Sequence, residues 1–247
     1  MARSYYLGQG VPKDEAEAAR WFRKAAEQGE PQSERILGLM YDAGSTGLPK
    51  DDVQALAWYR RAAGHGDAAA QNKMGGMYEA GRGGLPRDFG QALAWYRKAA
   101  GQGVAAAQNR LGEAYEAGLG GLPQDEEEAV AWYRKAADQN DTTAQNNAAR
   151  LSAGSVNPKV RDPNAAVYYA EKAVAAKPNS PEFLNTLAQA YALEGQFAKA
   201  VSTQIQALSL AAAGKREEYA RKLSEYQRQA QETPIPASGR GTLPPRK

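Results

Sequence analysis

The 247-residue chain has no cysteine, one histidine, and only twelve valines and isoleucines together against fifty alanines. Without cysteine there is no disulfide framework, no thiolate zinc site and no cysteine nucleophile. With His65 alone, no histidine-based metal pattern can be assembled, so neither a metal nor a cofactor is expected. Alanine loses no side-chain entropy in a helix and β-branched residues favour strands, so the balance points to an all-α chain. No apolar run approaches the roughly 18 residues of a membrane span, and no basic stretch with an apolar run follows Met1. Membrane insertion and a secretory signal within the chain as it stands are therefore not expected.

Excess charge is also scarce. Lys plus Arg number 31 and Asp plus Glu 28, a net +3, and residues 233–247 carry all of it in Arg240, Arg246 and Lys247. Nucleic-acid binding draws on clustered Lys and Arg to neutralise phosphates. A body that is neutral on balance excludes it as the main role.

What the chain has is repetition. Trp21, Trp58, Trp95 and Trp132 stand 37 residues apart, as do Pro12, Pro49, Pro86 and Pro123, and Asp14, Asp51, Asp88 and Asp125. Ala70, Ala107 and Ala144 each open the triplet AQN. Each unit reads as two helices. In the third, Asp67 caps a helix over 68–80 whose stripe is Ala70, Met74, Met77 and Tyr78, and Gly81 stops it. Asp88 caps a second helix with Ala92, Trp95, Tyr96 and Ala99 on one stripe. Neither helix buries its stripe alone, which is the logic of a solenoid. Gly38, Gly75 and Gly112 recur at mid-helix, where glycine costs up to about 1 kcal/mol relative to alanine. Close helix approach explains that recurrence, and the expected occupant of the space is the indole of the paired helix. A buried Trp of this kind should be worth about 3–5 kcal/mol.

LGLMYDAG at 37–44, MGGMYEAG at 74–81 and LGEAYEAG at 111–118 are each followed by GLPxD and a helix containing WYR. These residues resemble Sel1-like repeats, a subclass of the tetratricopeptide superfamily. The resemblance implies a right-handed α-α superhelix of antiparallel helix pairs over 1–154. Its first unit keeps only Ala2 to Leu7 of the first helix. Residues 155–212 resemble ordinary tetratricopeptide units, with Leu187, Ala188, Tyr191, Gly195, Phe197, Ala200 and Ala207 at the motif's spacing. Residues 213–231 read as a polar capping helix, and the Pro-, Gly- and Ser-rich 232–247 as a disordered tail. The incomplete first unit suggests removal of upstream sequence, with self-association through that open unit as the alternative.

Chemistry is thin. His65 lies in the turn AGHGD, at a slot occupied by Gln28, Gln102 and Gln139 elsewhere, and reads as a solvent-exposed turn residue. No serine is followed three residues later by lysine, and the loops GRGGLP (81–86) and GLGGLP (118–123) lack the GK[ST] of a phosphate cradle. The run Asp125 to Glu128 reads as a helix start favoured by the macrodipole. No catalytic residue is assigned.

One set of positions suggests binding. In arrays of the family resembled, the first helices line the concave groove, which brings Arg35, Asn72, Asn109, Asn146 and Asn185 to one shared site. An amide both donates and accepts, so a row of amides can hold a peptide backbone. The nearby Asp42, Glu79, Glu113 and Glu116 should add a preference for basic residues. The reading is a non-catalytic scaffold for a protein or peptide partner. The alternative is a cell-envelope scaffold or adaptor for glycan or peptidoglycan machinery. The compartment is cytoplasmic by default, periplasmic if the chain is a fragment of an exported bacterial protein.

Overall fold

A computed structural model describes residues 1–45 and 48–232, which form thirteen α-helices with no strand among the described residues. The helices fall into two compact units. In the first, residues 1–144, α1 (Ala2–Leu7) and α2 (Glu15–Glu27) precede α3 (Pro31–Ala43), α4 (Asp52–Gly64), α5 (Ala68–Ala80), α6 (Phe89–Gly101), α7 (Ala105–Ala117) and α8 (Glu126–Ala137). The division falls within α9 (Thr142–Gly154). The second unit continues with α10 (Pro163–Ala176), α11 (Pro181–Leu193), α12 (Phe197–Leu210) and α13 (Ala213–Glu232). Beyond Glu232 the expected tail lies outside the described residues. The fold is an all-α solenoid of helix pairs, in which successive helices pack on one another from α1 to α8 and from α10 to α13.

Local chemistry sets the helix starts. Asp14, Asp51, Asp88, Asp125 and Asp162 each accept the backbone N–H three residues on, at 2.9–3.0 Å. Each cap satisfies a donor the helix cannot. Asp162 keeps the 37-residue interval, so the period continues into the residues that resemble ordinary tetratricopeptide units.

The space opened by the mid-helix glycines is filled by tyrosine, not by tryptophan. A Cβ on Gly38, Gly75 or Gly112 would lie 2.5 Å from a ring carbon of Tyr59, Tyr96 or Tyr133, all of them buried. Neighbouring helical residues point about 100° apart, so a tyrosine aimed at the partner helix leaves the preceding tryptophan at the edge. Trp21, Trp58, Trp95 and Trp132 are accordingly half-buried, each beneath the cation three residues on: Lys24, Arg61, Lys98 and Lys135, at 4.9, 4.8, 4.3 and 3.8 Å. The value expected of a buried tryptophan belongs to the tyrosine.

Each hydroxyl reaches a carboxylate on the preceding helix. Tyr59, Tyr96 and Tyr133 donate to Asp42, Glu79 and Glu116 at 3.2, 2.6 and 2.8 Å. Where Phe22 stands in place of the tyrosine, Tyr6 stands in place of the acid and meets the Phe22 ring edge-on, with centroids 6.3 Å apart. In the fifth repeat, buried Ala149 and Ala170 occupy the glycine and tyrosine positions, so the gap and the ring that fills it are lost together.

A second device ties the start of each first helix to the turn ending the second. Gln71 accepts from Gln102 Nε2 at 2.8 Å and donates to the Ala63 carbonyl at 3.3 Å. Gln108 does the same with Gln139 and Ala100, at 2.8 and 3.2 Å. The α3–α4 pair departs from this. Fully buried Glu34 takes the place of the glutamine, with His65 Nδ1 at 2.8 Å and Arg61 Nε at 3.1 Å. A carboxylate cannot donate, and Arg61 Nη2 supplies the bond to the Ala26 carbonyl at 3.2 Å. His65, expected to be a solvent-exposed turn residue, is exposed at the end of α4 and also bonds the buried Glu34 carboxylate.

In the second unit, Tyr191 donates to Glu171 at 2.7 Å, and burial together with that bond pushes its phenol up to about 12. Tyr219 and Tyr226 bury the inner face of α13, and the Tyr219 carbonyl accepts from Gln204 Nε2 at 3.1 Å.

Candidate functional site

In the first unit a cavity of about 300 Å³ opens where α3, α5 and α7 come side by side. Its walls include Asp42, Tyr59, Asn72, Lys73, Arg82 and Arg110. A second cavity of about 500 Å³ adjoins it, shares Gly76, Ala80, Tyr96 and Arg110, and adds Glu79 and Arg87. The short side chains Gly76 and Ala80 leave this space open, since a larger residue one turn apart on α5 would fill it.

The three first-unit positions expected to form a row of amides differ in their bonding. Arg35 pairs with Asp67 at 3.1 Å. Asn109, itself buried, donates to Glu113 at 2.9 Å. Asn72 Oδ1 is buried in the cavity wall with no hydrogen-bond partner. A buried acceptor left unmade costs roughly 1–3 kcal/mol, and an incoming N–H relieves that cost. In the second unit, Asn146 Oδ1 is likewise buried without a partner, whereas Asn185 accepts from Lys222 and Gln204 at 3.3 and 3.4 Å.

The acidic positions are engaged by the fold itself. Asp42 accepts from Tyr59 and lies 2.6 Å from Arg82 and 3.7 Å from Lys73. Glu79 and Glu116 accept from their tyrosines, and Glu113 from Asn109 and Arg110, the latter at 2.7 Å. The acids expected to favour basic ligands thus each have a partner within the fold. Four cations, Lys73, Arg82, Arg87 and Arg110, line the same space, and the repeat pattern had not drawn attention to them. The available clue was irregularity: Arg82 stands where Ser45 and Leu119 stand in the neighbouring repeats, and Lys73 and Arg110 stand where Ile36 and Asn147 do.

Arg82 is the electrostatic centre. It bonds both Asp42 and Asp52 and bridges α3 to the first residue of α4. Burial pushes the Asp42 carboxyl up, but the Arg82 bond and charge, with Lys73 and Tyr59, outweigh it and hold it below the usual range. Asp52 is lowered chiefly by its Arg82 hydrogen bond. A carboxylate depressed in the folded state stabilises above its unfolded value, about 3.9, and loses that contribution as pH falls through the folded one. Arg82→Leu should therefore lower the melting temperature at pH 7, and the gap to the parent should narrow as the pH falls from about 4 towards 2. Thermal melts across that range check this; a gap that is independent of pH counts against it.

At the N-terminal end a cleft of about 490 Å³ lies between α1 and α3, lined by Tyr6, Leu7, Phe22, Ile36, Leu39 and Met40 among others. This is the open first unit to which self-association was ascribed. Among the described residues no group of three His, Cys, Asp or Glu could hold a metal ion, and no helix is long and apolar enough to cross a membrane.

Comparison with known proteins agrees with this architecture. The Sel1 repeat model matches residues 1–30, 31–67, 68–104, 105–141 and 143–177. The fifth match runs across the boundary expected at residue 154. A Sel1 repeat protein from Oxalobacter formigenes is 30% identical, with a TM-score of 0.67 over 92% of this chain and 84% of that one. The protein c5321, a protective antigen present in uropathogenic Escherichia coli strains and displaying an SLR fold, is 27% identical. Its TM-score is 0.54 over 94% of this chain and 60% of that one, so this chain spans less than two thirds of that protein. No curated protein matches.

Proposed function

The chain belongs to the Sel1 repeat family, and from that premise we propose that it is a non-catalytic scaffold holding an extended segment of a partner protein on the α3, α5 and α7 face of its first unit. Sel1 repeat proteins are generally non-catalytic scaffolds. The observation that carries the reading here is Asn72, whose amide oxygen is buried without a partner in the wall of an open cavity. An extended peptide offers one backbone N–H and one carbonyl per residue, which is what a fixed amide can pair with whatever the ligand's side chains. Small residues at 76 and 80 let a backbone approach α5 closely, and the tyrosine–carboxylate bonds hold the surrounding walls rigid, so little ordering is needed on binding.

Peptides selected from a random display library on the intact chain test the proposal. Asn72→Ala should weaken the selected peptides about five- to thirtyfold, the equivalent of one charge-free hydrogen bond to a buried group, while leaving the melting temperature unchanged or raised. Selected peptides that bind the variant as tightly as the parent would overturn it.

A further inference from the structure

The two joined cavities carry a charge arrangement opposite to the one the acidic positions suggest. Their walls contain Lys73, Arg82, Arg87 and Arg110 against Asp42 and Glu79, with Asp52 and Glu113 outside the lining paired to Arg82 and Arg110. The carboxylates sit deeper than the cations that meet them. Asp42 and Glu79 side chains are 19% and 28% exposed, whereas Lys73 and Arg110 are 42% and 49% exposed. Each of these two carboxylates also spends a lone pair on a tyrosine hydroxyl, which fixes it against the wall. The cations keep unused donors: an ammonium has three N–H groups and a guanidinium five. Lys73 has one distant contact, 3.7 Å from Asp42, and Arg110 is 3.9 Å from Glu79 with a closer partner in Glu113. A ligand entering from solvent thus meets positive charge first and finds donors in excess.

Building on the proposed peptide face, we infer that the segment it holds is acidic, its carboxylates seated among Lys73, Arg82, Arg87 and Arg110 while its backbone meets Asn72. A guanidinium matches a carboxylate with two parallel hydrogen bonds, so Arg110 and Arg87 suit an acidic side chain better than they suit water. A basic segment would have to bring its charge past Lys73 and Arg110 to reach carboxylates whose best lone pairs are already used.

Three labelled peptides of equal length, alternating glycine with glutamate, lysine or serine, test this by fluorescence anisotropy on the full chain. The glutamate peptide should bind at least about tenfold tighter than the serine peptide, and lose most of that margin at high salt. Lys73→Glu with Arg110→Glu should abolish the preference. The milder pair Lys73→Gln and Arg110→Gln should reduce it with the circular dichroism spectrum unchanged, which keeps the test valid if charge reversal disturbs folding. A lysine peptide that binds as well as the glutamate peptide, or a glutamate preference that survives both variant pairs, overturns the inference and leaves the peptide-scaffold reading standing. So does failure of all three peptides while display-selected peptides still bind. A single-stranded oligonucleotide of the same charge that binds more tightly than the glutamate peptide also overturns it.

Discussion

Gly112→Ala should lower the stability of the chain by about 1–3 kcal/mol, the opposite of what the same change does in most helices. In an unhindered helix alanine is favoured over glycine by about 0.5–1 kcal/mol, because glycine loses more backbone entropy on folding. Here the added Cβ would stand 2.5 Å from a ring carbon of Tyr133, well inside van der Waals contact. The ring is buried and its hydroxyl is held by Glu116 at 2.8 Å, so it cannot swing aside without giving up that bond. Tyr133→Ala alone should cost about 3–5 kcal/mol as a large buried aromatic is lost. The double variant reproduces the alanine pair that the fifth repeat carries at 149 and 170, both buried. It should therefore be more stable than the sum of the single effects implies, with a coupling of about 1–3 kcal/mol. Urea denaturation of the four proteins measures this, and additive effects would mean that the glycine and the tyrosine do not share one space.

The second large effect concerns the one repeat that has exchanged its amide clamp for charges. Arg61→Ala removes the guanidinium from the fully buried Glu34 carboxylate, leaving it only His65, and removes the side-chain donor to the Ala26 carbonyl, which keeps the Gly29 N–H. Leaving a buried charge uncompensated costs about 3–5 kcal/mol, and the exposure of Arg61 places this case near the lower end. The two repeats that follow indicate the rescue. With Glu34→Gln and His65→Gln added, the new amide at 34 can donate to Ala26 as Gln71 donates to Ala63, and accept from the amide at 65 as Gln71 accepts from Gln102. The triple variant should recover most of the loss in thermal melts. A triple variant no more stable than Arg61→Ala alone would show that the amide geometry of the other repeats is not available in this one.

Much of this molecule could be read without coordinates. A period of 37 residues, the aspartates that open each second helix and the glycines that close several first helices are local signals, each acting within a turn of its own position. That is why α5 and α6 lie where their caps place them, at Ala68–Ala80 and Phe89–Gly101. Repetition also identified the residues that do structural work, since Gly38, Gly75 and Gly112 share one slot.

Their partner was not legible. Tryptophan is the larger and rarer residue, and adjacent positions both recur, so periodicity alone could not choose between Trp and Tyr. Only the rotation of each second helix against the first decides which ring enters the gap. The candidate site met the same boundary. The sequence placed Asn72 and the acids near one another, but whether a carboxylate faces a ligand or a tyrosine depends on the distance between helices, which is a property of packing. Lys73 and Arg110 share a slot that holds Ile36 and Asn147 in the neighbouring repeats and Arg82 has no basic counterpart, so the significance of these cations arises only once three helices bring them to the rim of a single cavity. Sequence thus determined the repeating helix pairs, because caps, breakers and stripes act over a few residues. Tertiary structure decided which side chains are consumed in holding the pairs together and which remain for a partner, because hydrogen bonds and ion pairs between helices join residues that lie far apart along the chain.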